Sequence, residues 1–211
     1  MKPWKTLATD GKFTLRQRER EFMVLSDGKI LMSSLQHGSE PELVRIGCAR
    51  IDFDKPKIMV GGLGFGFILR AALDIAPDLA KVIVSEPSKT VVEWNQGPLA
   101  SLNGRALDDE RITVEVGDVQ RVLSKHRKGF DVILLDIDNG PFAVDLDDDY
   151  SVYSIGGLSS VRASLRSGGR LAVLSSGTHP GFNKRLTEVG FTASVQYASD
   201  GASLVFIGDV A

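Results

Sequence analysis

The run Val60-Gly61-Gly62-Leu63-Gly64-Phe65-Gly66 is the place where this chain is best equipped to hold a ligand. Glycine has no Cβ, so a glycine-rich strand end lets the backbone come close to a bound molecule. Glu86 follows Gly66 by twenty positions and ends a second apolar run, Val82-Ile83-Val84-Ser85. A carboxylate at the tip of a second strand accepts the two hydroxyls of a ribose. A pyrophosphate loop needs glycine at the sixth position of G-x-G-x-x-G. Counted from Gly62 that position is Phe67, and the spacing here is G-x-G-x-G. Such a loop suits a sulfonium nucleoside, whose methionine or aminopropyl tail lies where the glycines make room. The alternative is a tight strand-to-helix turn that binds nothing.

Two further acidic sites follow. Asp118 ends the run before Val119, where a carboxylate can accept the exocyclic amine of adenine and the Val119 N–H can meet the ring nitrogen. Asp118 also suits a helix N-cap, and the two roles are compatible. The stretch Asp131-Val132-Ile133-Leu134-Leu135-Asp136-Ile137-Asp138-Asn139-Gly140-Pro141 sets two carboxylates, Asp136 and Asp138, just past a fourth strand. That is the edge of an open α/β sheet where ligands bind. Two close acids favour a cationic guest, or one of them keeps its proton. The acids from Asp145 to Asp149 read as a solvated loop. His37 faces either the ligand or a loop hydrogen bond. Three histidines and one cysteine offer no metal site.

These residues need a scaffold of alternating strands and helices. Strands are expected at Lys57–Gly61, Lys81–Ser85, Ile112–Val116, Asp131–Leu135, Arg170–Ser175, Thr192–Tyr197 and Ser203–Ile207. Helices are expected at Glu40–Ala49, Gly66–Ile75, Ser88–Leu99, Val119–Ser124, Ser154–Leu165 and Pro180–Glu188, with Gly168-Gly169 closing the fifth. The alternation implies a mostly parallel α/β sheet ending in an antiparallel hairpin. Residues 1–38 form a separate tail and β-hairpin arm, turned at Ser26-Asp27-Gly28-Lys29, ahead of a domain over residues 39–211. The arm either covers the acceptor pocket or joins another subunit in a homodimer.

Composition narrows the partners. A formal charge of −2 argues against nucleic acid and membrane surfaces. Cys48 stands alone, excludes an internal disulfide and reads as buried filler. No run approaches the ~20 apolar residues of a membrane span, and the start has no apolar leader, so a cytoplasmic location is expected.

Taken with the arm, the glycine loop, Ser85-Glu86, Gly117-Asp118 and Leu135–Pro141 resemble the spermidine synthase (polyamine aminopropyltransferase) family, from about Phe22 to Ser175. The segments Leu31–Ser34, His37–Glu40 and Leu134–Pro141 are closest to a short bacterial branch of it. The resemblance implies the Rossmann-like class I methyltransferase fold. It implies a transferase that moves an aminopropyl or other alkyl group from S-adenosylmethionine, or its decarboxylated form, to a small amine. Gly61, Gly62, Gly64, Phe65, Gly66, Glu86, Asp118 and Val119 then hold the cofactor, with Glu86 on the ribose and Asp118 on the adenine side. Asp136 accepts the proton, with Asp138 as the second substrate acid, and His37 and Glu40 face the substrate.

The chain departs from the family at two places. Phe65 occupies the position of an aspartate that holds the amine of the aminopropyl tail, and Glu40-Pro41 falls on a tyrosine-glutamine pair of the acceptor site. The first departure favours intact S-adenosylmethionine, and an aspartate introduced at Phe65 would restore a partner for the amine. An S-adenosylmethionine-dependent methyltransferase and a non-catalytic nucleoside-binding module remain the alternatives.

Overall fold

Apolar side chains on both sides of each strand make a sheet that must be covered on both faces. Ile58 and Val60 pack into one layer and Met59 into the other; Val132 and Leu134 face the first layer, Ile133 and Leu135 the second. This two-residue period with no polar face is the mark of a central parallel strand. The computed structural model describes residues 2–35, 38–50, 54–137, 151–199 and 201–211.

The main sheet contains β5 (Lys57–Gly61), β6 (Lys81–Glu86), β7 (Ile112–Val116), β8 (Phe130–Leu135), β9 (Leu165–Ser175), β10 (Thr192–Tyr197) and β11 (Leu204–Asp209). Their order is β10-β11-β9-β8-β5-β6-β7. β5 pairs in parallel with both β6 and β8, so the chain reverses its winding direction there. Only β11 runs antiparallel, between β9 and β10. Helices α1 (Glu40–Gly47), α2 (Phe67–Ile75) and α3 (Lys89–Gln96) cover one face. Helices α4 (Val119–Ser124), α5 (Ile155–Ser164) and α6 (Pro180–Glu188) cover the other. This is the expected Rossmann-like sheet with its C-terminal hairpin.

One expected boundary moves. Gly168-Gly169 does not close α5, which ends at Ser164. Gly168 adopts φ +76° inside β9, and the Gly168 N–H and Gly169 carbonyl both pair with Val210. The left-handed glycine bends a strand instead of capping a helix.

The arm is larger than a hairpin. β1 (Lys5–Asp10), β2 (Phe13–Arg18), β3 (Glu21–Ser26) and β4 (Lys29–Ser33) form a four-stranded antiparallel meander. Asp27 and Gly28, at φ 49° and 77°, make the expected tight turn between β3 and β4. The arm has no closed core of its own. Leu15, Phe22 and Val24 instead pack on Phe65, Trp94 and Leu99 of the main domain. The Thr90 hydroxyl adds a hydrogen bond to the Asp10 carboxylate. Each buried side chain of that size contributes about 1.5–3 kcal/mol, so docking, not strand pairing alone, keeps the arm in place.

Candidate active site at the carboxyl edge

The carboxyl ends of β5, β6, β7 and β8 open onto a cavity of about 480 Å³. It lies where the winding reverses beside β5, the expected ligand crevice of such a sheet. The arm supplies its outer wall through Phe13, Leu31 and Met32.

The glycine loop forms the floor. Gly62 sits at φ +86° and donates its N–H to the Ser85 carbonyl at 2.9 Å. A Cβ there would stand 3.3 Å from the Asp136 carbonyl, a tight contact, so the loop and the β8 tip approach closely at a position whose φ already favours glycine. Gly66 starts α2 at φ +82°, and a Cβ there would lie 2.6 Å from Asn103 Nδ2. Behind the loop stands a buried amide pair. Asn95 donates to the Gly64 carbonyl at 2.9 Å, and Asn103 donates to the Phe65 carbonyl at 3.1 Å and to Asn95 Oδ1 at 2.7 Å. Both are 1% exposed, and a buried amide left without partners costs about 1–3 kcal/mol. The pair therefore fixes the loop from the protein side.

Glu86 is buried and its carboxylate is held at both oxygens. The Leu63 N–H donates to Oε2 at 3.0 Å and the Ser88 N–H to Oε1 at 2.9 Å. Each carboxylate oxygen has two lone-pair directions. One remains on each oxygen, which is the arrangement that accepts two neighbouring hydroxyls. Asp118 caps α4 by accepting the Gln120 N–H at 2.8 Å, the expected N-cap, and also borders the cavity. Val119 is buried beside it and lines the same wall.

Asp136 lies just past β8. Burial pushes its carboxyl up to about 6, and the nearby Glu40 carboxylate adds to the rise. Tyr153 braces the next residue: its hydroxyl donates to the Ile137 carbonyl at 3.1 Å and accepts the Ile137 N–H at 3.4 Å. The cavity thus carries four carboxylates, Glu40, Glu86, Asp118 and Asp136, and no lysine, arginine or histidine among its described lining residues. Its field selects for positive charge.

Of the residues singled out in the sequence, Glu40, Gly62, Gly64, Phe65, Glu86, Asp118, Val119 and Asp136 converge on this cavity. Gly61 and Gly66 stand behind it. Gly61 leaves room for Leu135, which would lie 2.5 Å from a Cβ, and Gly66 leaves room for Asn103. His37, Asp138 and the acids from Asp145 to Asp149 lie outside the described residues. Asn95, Asn103 and Tyr153 had no sequence signal. Asn95 and Asn103 meet only because α3 ends at Gly97 and the chain folds back.

No protein-family model matches the chain. Over 80 residues it is 31% identical to a polyamine aminopropyltransferase of Clostridium tetani, a match that covers 38% of this chain and 28% of that relative. The match therefore spans about a quarter of the relative's length. The fold is similar to the spermidine synthase of Thermotoga maritima, with a TM-score of 0.73, 16% identity, and coverage of 98% of this chain and 72% of that one. It is also similar to the 1,6-didemethyltoxoflavin-N1-methyltransferase of Burkholderia thailandensis, a structure with bound S-adenosylhomocysteine. There the TM-score is 0.60 and the identity 16%, over 83% of this chain and 80% of the other.

Proposed function

From the premise of a spermidine-synthase-like chain, we propose a transferase that moves an alkyl group, an aminopropyl group foremost, from an adenosyl-sulfonium donor to a small amine. The observation that carries this reading is the cavity itself: four carboxylates and no described basic residue around a glycine loop at the sheet's switch point. An adenosyl-sulfonium is a cation, and so is an amine at neutral pH, with a pKa near ~10.4.

The described residues fit such a donor. Glu86 has a free lone-pair direction on each oxygen for the ribose hydroxyls, and nothing lies within 4 Å of the open side of Gly64. Asp118 and the Val119 N–H would take the adenine edge. When bound, the donor supplies a carbon attached to sulfonium, whose C–S electron pair leaves with the sulfur as a neutral thioether. Asp136 attracts the acceptor ammonium, orients its nitrogen toward that carbon and accepts its proton as the C–N bond forms. Holding the partners in line supplies about 7–11 kcal/mol of the barrier.

Product identity tests the reading. The protein is incubated with a diamine and either S-adenosylmethionine or its decarboxylated form. Methylthioadenosine is the expected product. S-adenosylhomocysteine alone would replace it with the methyltransferase reading, which Phe65 supports because the loop carries no acid for an aminopropyl ammonium. Neither product would leave a nucleoside-binding module.

Glu86→Ala is expected to weaken methylthioadenosine binding by about 1.5–3 kcal/mol, since charge-assisted hydrogen bonds to the ribose are lost. The same change frees the Leu63 and Ser88 N–H groups, so the melting temperature falls with it. Calorimetry showing equal affinity in the two proteins would remove Glu86 from the ribose site.

A further inference from the structure

Glu40 stands where the resemblance expects the tyrosine of the acceptor-site pair, and its side chain is fixed on the cavity wall. It is 9% exposed, lies in the first turn of α1 and borders the same cavity as Asp136. The Gly38 N–H donates to its Oε2 at 2.7 Å, which fixes the side chain. Its other oxygen takes no hydrogen bond from a described residue. Neither Glu40 nor Asp136 forms an ion pair among the described residues. A buried carboxylate beside a second, partly buried one is costly without a counter-ion, and the cost is relieved when a cation reaches both.

We propose that Glu40 is the specificity-determining anion of the acceptor pocket: it selects an ammonium-bearing acceptor and holds that ammonium against Asp136. This rests on the transferase reading above. The division of labour follows from position. Glu40 is anchored by the Gly38 N–H in the first turn of α1, on the cavity wall it shares with Asp136. Asp136 has burial and a carboxylate neighbour, both of which favour its neutral form. Glu40 is thus the fixed member of the pair, and Asp136 is the group whose protonation responds to its neighbour. The other titratable groups on the cavity are Glu86 from β6 and Asp118 at the start of α4, and no described lining residue supplies a positive charge. A hydroxyl acceptor of the same shape can donate a hydrogen bond to Glu40 but brings no positive charge to offset it, so the pocket discriminates by charge and not only by fit.

The test uses the full chain saturated with methylthioadenosine and titrated with diaminobutane. Glu40→Gln keeps an acceptor for the Gly38 N–H and removes the charge. It is expected to weaken diaminobutane binding roughly 10–100-fold, as for a lost charge-assisted bond, with methylthioadenosine affinity unchanged. The same variant should move the acid-side titration of Asp136 below about 6, read in the pH dependence of melting without ligand. That shift checks the coupling of Glu40 to Asp136, and the loss of diamine affinity with the nucleoside still bound checks the acceptor role, which a merely structural Glu40 would not produce. Should Glu40→Gln not fold, Glu40→Asp draws the carboxylate back by one methylene and must weaken the diamine in the same direction. Equal diamine affinity in wild type and variant, with the nucleoside still bound, would overturn the role of Glu40 alone. A wild-type protein that binds no methylthioadenosine would overturn the transferase reading and this one with it.

Discussion

Asp136→Asn is expected to lower alkyl transfer by roughly 10²–10⁴-fold, the loss of a proton acceptor, while methylthioadenosine binds as before. The wild-type rate should have an acid limb near pH 6, where Asp136 exchanges its proton. At neutral pH most of the population is then ionised and ready to accept. The folded carboxyl is raised from 3.8 to about 6, so folding binds a proton in that window. The associated stability is full below pH 4 and is lost as the pH rises through 6. At pH 7 to 8 the ionised, unpaired Asp136 costs at most about 3 kcal/mol. Asp136→Asn should therefore melt higher than wild type at pH 8, by several degrees at about 2–4 °C per kcal/mol, and equally at pH 4. Paired measurements of turnover, nucleoside affinity and melting against pH check this. Loss of nucleoside binding with the fold intact would move Asp136 from the acceptor to the cofactor side. A variant that melts no higher at pH 8 would mean that another group compensates the charge.

The parts of the fold legible in the sequence are those governed by local pattern. Continuous apolar runs such as Val82-Ile83-Val84 can be buried on both faces only in a central parallel strand, and β6 lies there. Asp27-Gly28 forms its turn because both residues tolerate positive φ. Thr9-Asp10-Gly11-Lys12 carries the same signal one hairpin earlier, with Gly11 at φ 55°, but β1 before it has no strand signature. Its sequence, Lys5-Thr6-Leu7-Ala8-Thr9-Asp10, lacks the apolar alternation of a buried strand because β1 is mostly exposed. The bend at Gly168 differs from the expected helix end for a related reason. A left-handed glycine after a helical stretch looks alike whether the helix ends there or four residues before, and pairing with Val210 decides the matter.

Within the site, spacing predicted the residues that stand at strand tips, Glu86, Asp118 and Asp136. A strand tip is a sequence-local property once the strand is known. The residues that hold those groups are not local. Asn95 and Asn103 brace the loop from α3 and the segment after it, and Tyr153 reaches Ile137 from the start of α5. The relation between Glu40 and Asp136 depends on α1 packing over β8 and β9, where Gly47 admits Leu134. None of these contacts leaves a periodic trace in the chain.

Phe65→Asp is expected to unseat the arm before it alters any cofactor preference. From sequence the substitution restores a carboxylate to a loop that lacks one. In the structure the Phe65 ring is 6% exposed and packs with Leu15, Phe22, Val24, Trp94 and Leu99, and lies 6.0 Å from the Phe67 ring. It is the contact through which the glycine loop and the four-stranded arm share one apolar cluster. Removing a buried phenylalanine costs about 3–5 kcal/mol, and an unpaired carboxylate in the same place adds a desolvation cost of several kcal/mol unless it stays protonated or escapes to water. Escape on the side of the apolar cluster requires the arm to lift, which also removes Phe13, Leu31 and Met32 from the cavity wall. The variant should melt on the order of 10 °C or more below wild type, and the arm between Lys5 and Ser33 should become the first site of limited proteolysis. Phe65→Leu keeps the apolar volume more nearly and should lose far less. If Phe65→Asp instead melts with the wild type, resists proteolysis and gains affinity for the decarboxylated donor, the side chain at 65 faces the ligand and the arm is held by other contacts. The loop position would then set cofactor choice directly, and the lack of an acid there would be a matter of specificity, not of packing.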